Sequence, residues 1–126
     1  MSSDLTALLP KDKHDTDKVK GIVALGFPAV EPILPDLLEW MQDVNWPVAQ
    51  ALLPFLANIG GPLAPHVRHV LETDDEVWKY FVLSYIVVRS PELQTMLRAD
   101  LERLATCPTR GEQAEELDML ARQIVG

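Results

Sequence analysis

Three breaks decide what this chain can fold into. Gly26-Phe27-Pro28, Gly60-Gly61-Pro62 and Ser90-Pro91 each follow one apolar pattern and precede another. Glycine supplies the left-handed residue that ends a helix. Proline fits the first turn of the next helix, where its missing N–H costs nothing. Most of the ten prolines and six glycines stand at such junctions, so their number does not argue against helices.

Between the breaks, apolar residues recur at helical spacing. Ile33, Leu37, Trp40, Met41 and Val44 form one stripe, and Val48, Leu52, Phe55, Leu56 and Ile59 form the next. Leu63, Val67, Val70 and Leu71 give a shorter one. Leu93, Leu97, Leu101 and Leu104 line a fourth, and Leu117, Leu120, Ala121 and Ile124 a fifth. Val82–Val88 is rich in β-formers but lacks flanking turn pairs, so it reads as helix.

Capping residues support this division. Asn45 is placed to cap a helix opening at Trp46-Pro47, and Ser90 one opening at Pro91. Thr73 with Glu76, and Thr109 with Glu112, have the spacing of capping boxes. Pro32 and Pro35 should bend or split the segment 28–42, and Pro54 should kink the helix that contains it.

The predicted helices pair as 18–25 with 28–42, 46–59 with 62–72, and 76–88 with 91–105. A last helix, 111–125, stands alone, and a short helical turn precedes Pro10. Gly26 and Gly60 are 34 positions apart, and Pro62 and Pro91 are 29 apart. Two helices per 30–40 residues is the period of an α-solenoid. The expected fold is all-α, a short solenoid of about seven helices forming a single domain over 1–126. The segment 76–88, apolar nearly all round, should be the most buried helix.

Charge narrows the function. Eleven Lys and Arg against nineteen Asp and Glu give a net charge of −8. That disfavours nucleic acid, which selects basic stripes. One cysteine cannot form an internal disulfide, which points to a reducing cytoplasm. The segment MSSDLTALLPKDKHD lacks the basic start and apolar core of a signal peptide, and no apolar run approaches a membrane span.

Two resemblances follow from particular residues. Val48-Ala49, Leu52-Leu53-Pro54, Leu56 and Ile59-Gly60, continuing through Pro62-Leu63, Val67, Val70-Leu71, Asp74-Asp75 and Val77, look like HEAT repeats. Those repeats also carry a kinking proline and an Asp-x-Val junction. They bind other proteins, so the resemblance implies a scaffold. More specifically, nearly the whole chain resembles a family of small bacterial proteins known as a domain of unknown function. Its marks are Leu9-Pro10-Lys11-Asp12-Lys13-x-Asp15, Leu38-Glu39-Trp40, Asp43-x-Asn45-Trp46-Pro47-Val48-Ala49, and Asp74-Asp75-x-x-Trp78-Lys79-Tyr80. His14 stands within the first mark where an aromatic residue is expected. The family name implies no activity.

The residues singled out each have a plain reading beside the functional one. Lys11, Asp12, His14 and Asp15 form a solvated loop whose Asp15 can cap the next helix, or else part of a binding surface. A calcium loop built on Asp12, Asp15 and Asp17 lacks the glycine and distal glutamate of an EF-hand. Trp46 and Trp78 follow Asp43 and Asp75 by three residues each. Either the rings pack between repeats while Asp43 and Asp75 cap the helix starts, or they present an edge on a ridge shared with Asn45, Asp75 and Lys79. Lys79 is the one charge within an apolar helix. It should reach solvent at the edge of its face or pair with Asp43 or Asp75, because an unpaired buried charge costs several kcal/mol. His66 and His69, three apart, are too few ligands for a metal site, and Cys107 reads as a free structural thiol.

No phosphate loop, serine elbow or H-E-x-x-H motif is present, so neither cofactor nor metal is expected. The sequence points to non-catalytic protein binding through an acidic surface of Asp12, Asp15, Asp43, Asp74, Asp75 and Glu76. Charge would steer it toward a basic partner, for example as a regulator or immunity-type neutraliser of a basic bacterial protein. The alternative is a small-ligand binder or enzyme with a pocket around Lys79, Tyr80, Asp75, His14 and the N-terminal loop.

Overall fold

The structure is a computed structural model that describes residues 5–126. The first four positions of the expected domain lie outside the described residues. Among the described residues the fold is all-α, with nine α-helices and no strand. A 3-10 turn over Leu5–Leu8 precedes α1, Thr16–Leu25. Gly26, at φ 74°, closes α1, and its N–H donates to Ile22 O at 3.0 Å.

Prolines then shape the next segment. A 3-10 turn over Glu31–Ile33, the helix α2 over Leu34–Glu39 and a second 3-10 turn over Trp40–Gln42 replace one long helix. Pro32 and Pro35 cause the division, since neither donates an N–H and each ring crowds the carbonyl four residues back. Helix α3, Pro47–Ile59, runs continuously through Pro54. Gly60 turns the chain at φ 69°, and α4 spans Ala64–Leu71. Helix α5 spans Glu76–Tyr85. Ser90 caps α6, Pro91–Met96, accepting the N–H of Leu93 at 3.2 Å.

Two predicted helices are each broken in two, which raises the count from about seven to nine. The segment 91–105 divides at Leu97, where φ and ψ of −100° and 13° leave the helical region, and α7 begins at Arg98 and ends at Thr106. The segment 111–125 divides into α8, Arg110–Ala114, and α9, Leu117–Val125. Glu116 between them adopts φ 58°, a left-handed conformation uncommon for a residue with a Cβ. The stripe of Leu93, Leu97, Leu101 and Leu104 runs across the first break and carries no sign of it, whereas the last stripe begins only at Leu117, directly after the second. The capping box of Thr109 and Glu112 forms as expected, with both reciprocal bonds present.

Buried residues from α1 to α9 join one hydrophobic cluster, with Leu37, Met41, Leu52, Leu56, Leu83, Leu97 and Leu117 fully enclosed. Helix α1 packs on α3, α2 on α4, and α4 on α5, while α9 closes the end of the fold against α7 and α5. The expectation that the segment 76–88 forms the most buried helix is corrected, since α5 buries three of its ten residues and α2 three of its six. Val77 is 48% exposed and Tyr80 42%, and the buried face carries Lys79, Val82 and Leu83. Among the described residues no helix is long and apolar enough to cross a membrane.

Candidate functional site

The charged N-terminal loop is folded back on α3. Asp15 occupies the N-cap position of α1, but its carboxylate accepts the N–H of Lys11 at 2.9 Å rather than one from the helix. Asp12 accepts the N–H of His14 at 2.9 Å. These two turns present the carbonyl of Lys13 to the N–H of Val48 at 3.0 Å. Val48 lies in the first turn of α3, where backbone N–H groups have no partner within the helix. A loop carbonyl therefore caps α3, in the role expected of Asn45. Asn45 is exposed, and its own N–H donates to Asp43 Oδ1 at 2.9 Å. The capping box expected of Thr73 and Glu76 is absent for a similar reason. Asp75 takes the N-cap position of α5 and accepts the N–H of Trp78 at 3.0 Å. Thr73 instead donates its hydroxyl to Val70 O at 2.7 Å.

Helix α2 is a ridge between two grooves. The groove on the α3 side, of about 270 Å³, is lined by Leu9, Pro10, Asp36, Glu39, Trp40 and Trp46. The two indoles meet edge to face, with centroids 5.8 Å apart and planes at 78°. The groove on the α4 side, of about 290 Å³, has Pro35, Leu38, Val70 and Trp78 as its apolar lining. Glu39, His66 and His69 add polar groups to it. Trp78 donates its indole N–H to the carbonyl of Leu38 at 2.9 Å, which fixes the ring against α2. Glu39 lines both grooves. His66 and His69 share the second groove, but among the described residues no three His, Cys, Asp or Glu side chains converge to hold a metal ion.

The ridge is acidic without compensation. No Lys or Arg occurs between Lys20 and Arg68, whereas Glu31, Asp36, Glu39 and Asp43 do. Among the described residues neither Asp36 nor Glu39 forms an ion pair. Several basic residues elsewhere are held by acids. Arg68 pairs with Asp100 at 3.0 Å, Arg98 with Glu102 at 3.0 Å and Arg122 with Asp118 at 3.4 Å.

Lys79 is paired, but not with the expected acids. Its ammonium lies 2.9 Å from Glu112 and 3.2 Å from Glu76, and the residue is 2% exposed. Asp75 is committed to the α5 cap, and Asp43 to its own turn. Glu112 is the centre of the arrangement. Arg103 grips both its oxygens, at 2.7 and 3.1 Å, and the N–H of Thr109 donates at 2.8 Å. Burial by itself would raise the pKa of Glu112. The Arg103 guanidinium, the Thr109 N–H and the Lys79 ammonium outweigh it and hold the value at about 2, against an ordinary 4.5. The hydrogen bond to Glu112 in turn raises the pKa of Arg103. A polar groove of about 360 Å³ opens over this cluster, lined also by Asp74, Thr73 and Asp100. Among the described residues no buried side-chain nitrogen or oxygen lacks a partner. The cluster is thus a closed set of ion pairs joining α5, α7 and α8.

The predicted site residues therefore separate into three places. Lys11, Asp12 and Asp15 build the loop on α3, beside the turn of Asp43 and Asn45. Trp46 and Trp78 lie in different grooves, both packed against the core. Asp74 and Lys79 belong to the polar groove. The shared ridge of Asn45, Trp46, Asp75, Trp78 and Lys79 is corrected on this point, because Lys79 is interior. Sequence reasoning passed over Asp36, Glu39 and the grooves beside them. The signal was the gap in basic residues from 21 to 67. It also missed Glu112 as the acid shared by Lys79 and Arg103, since only the tertiary fold brings the three together.

A family model described as a domain of unknown function, DUF5071, matches residues 8–125. The chain belongs to the DUF5071 family. A comparison with curated proteins finds no match. The DUF5071 match takes in all nine helices and begins at Leu8, so both grooves and the Lys79 cluster fall within it.

Proposed function

We propose that this DUF5071 chain is a non-catalytic protein-binding module that receives a basic partner on the acidic ridge of α2. The observation that carries this reading is the pair of tryptophan-lined grooves meeting at Glu39, on a stretch that has four acids and no Lys or Arg. Tryptophan is over-represented among interface hot spots, and charge complementarity steers a partner of opposite sign to such a surface. The stacking of α1 on α3 and α2 on α4 supports a HEAT-like scaffold. A regulator or immunity-type neutraliser of a basic bacterial protein is one form such a module takes. The free, exposed thiol of Cys107 fits a reducing cytoplasm.

The small-ligand reading is weaker. The ammonium of Lys79 is already held by Glu112 and Glu76, Asp75 caps α5, and His14 sits in the loop on α3.

The test is affinity capture from host lysate at low salt, with wild type beside Asp36→Asn/Glu39→Gln, followed by titration of the recovered partner. A basic partner bound by wild type and lost by the variant is expected, with affinity falling steeply as salt shortens the screening length from about 10 Å at 0.1 M. Binding that ignores either salt or the variant overturns the proposal.

A further inference from the structure

The two grooves share Glu39 but differ in what they can hold. On the α3 side, Asp36 and Glu39 face the edge-to-face indoles of Trp40 and Trp46. A guanidinium or ammonium there gains charge-assisted hydrogen bonds and a ring face together. The nearby loop brings Lys11 and Lys13, but Asp12 and Asp15 offset them, so the acids of α2 set the sign of the field. On the α4 side, Glu39 is the one acid among the described lining residues, His66 and His69 stand with it, and Pro35, Leu38, Val70 and Trp78 supply apolar wall. That groove suits a side chain that gains by leaving water. The bond from Trp78 to Leu38 holds its ring in place before any partner arrives, which lowers the ordering cost of binding.

We infer that the partner docks through a short segment carrying an Arg or Lys beside a large apolar residue, the two side chains seated on opposite sides of Glu39. The cation lies against Asp36, Trp40 and Trp46, and the apolar side chain against Leu38, Val70 and Trp78. The inference rests on the protein-binding reading and narrows it to a two-pronged peptide motif. A phosphate backbone is excluded by the same field, because it would meet Asp36 and Glu39. A small polycation would fill the first groove and leave the second empty.

The three tryptophans of the chain are the three that line these grooves, so their indole N–H resonances report on each groove separately. The experiment titrates the ¹⁵N-labelled full chain with capped Gly/Ser peptides bearing one Arg, one Leu, or adjacent Arg and Leu, and with spermidine. The Arg peptide should move the Trp40 and Trp46 signals, and the Leu peptide the Trp78 signal. The combined peptide should move all three and bind about tenfold tighter than either, since the second contact becomes intramolecular. Equal affinity of combined and single peptides, no indole shift at about millimolar peptide, or tighter binding of spermidine at Trp40 and Trp46 alone would each overturn the inference. Failure here, with the captured partner still lost by Asp36→Asn/Glu39→Gln, leaves the binding-module reading standing. A partner retained by that variant removes the reading itself.

Discussion

The ammonium of Lys79 and the carboxylate of Glu112 lie 2.9 Å apart, across 33 positions of sequence, and the two residues are 2% and 1% exposed. Such a pair is a constraint on the fold more than a source of net stability, because desolvating both charges offsets most of their attraction. Breaking it from one side is different. Glu112→Gln leaves Lys79 with Glu76 alone and deprives Arg103 of its carboxylate, so it should cost about 3–5 kcal/mol. Lys79→Met should cost less, because Arg103 and Thr109 still satisfy Glu112. In the double variant the losses should fall short of additive by about 1–3 kcal/mol. Urea denaturation of the four proteins measures this, and strict additivity would contradict the pairing.

Acid should reveal the same carboxylate. The folded pKa of Glu112 is depressed from 4.5 to about 2. Its contribution is therefore fully present above the unfolded value and is lost as pH falls from about 4.5 through about 2. Integrated over that window it is on the order of 3 kcal/mol. Wild type should lose this component between pH 5 and pH 2, and Glu112→Gln should lack it. Denaturation midpoints at several pH values test the difference between their slopes, and parallel slopes would contradict the assignment.

The legible parts of the fold were those written in local residues. Gly26, Gly60 and Ser90 mark their junctions, Thr109 and Glu112 announce a capping box, and the apolar stripes name the core. What failed locally was competition between neighbours. Asp75 outcompetes Thr73 for the α5 cap because it stands directly before Glu76, and the Lys13 carbonyl arrives where Asn45 was expected. The break at Leu97 was hidden because its stripe continues through it, whereas the stripe that begins only at Leu117 already marked the one at Glu116. The site was less legible than the fold. The run without Lys or Arg was visible, but the grooves beside α2 exist only once Leu9, Pro10 and Trp46 stand on one side of it and Val70 and Trp78 on the other. Glu112 could not be named as a partner of Lys79 because it is 33 positions away, whereas Glu76, three residues earlier on the same helix, stood at a spacing that the sequence did show.

A second junction depends on a residue without a side chain. The N–H of Gly61 donates to Glu92 Oε1 at 2.7 Å, and a Cβ at Gly61 would come within 2.6 Å of the Glu92 carboxyl carbon. Gly61→Ala must push that carboxylate away and leave the N–H without it, at a cost of roughly 1–2 kcal/mol. Glu92→Ala removes the same bond but also removes the clash. Gly61→Ala added to Glu92→Ala should then cost almost nothing more. Thermal melts of the three variants decide it, and a full extra loss in the double variant would show that the strain lies elsewhere.

The loop on α3 offers a local test that global stability would not register. Asp15 holds the N–H of Lys11, Asp12 holds the N–H of His14, and the turn they make aims the Lys13 carbonyl at Val48. Lys11, Asp12 and His14 are exposed, so the loop buries little and opens independently of the core. Asp15→Ala should loosen the turn with a stability loss of about 1 kcal/mol or less. Its specific effect should be faster hydrogen exchange at the Val48 amide, with Leu52 and Leu56 in the same helix unchanged. Amide exchange followed by NMR separates the two. Equal acceleration along all of α3 would mean that the loop braces the helix as a whole, whereas acceleration at Val48 alone would establish it as a cap supplied from 35 residues upstream.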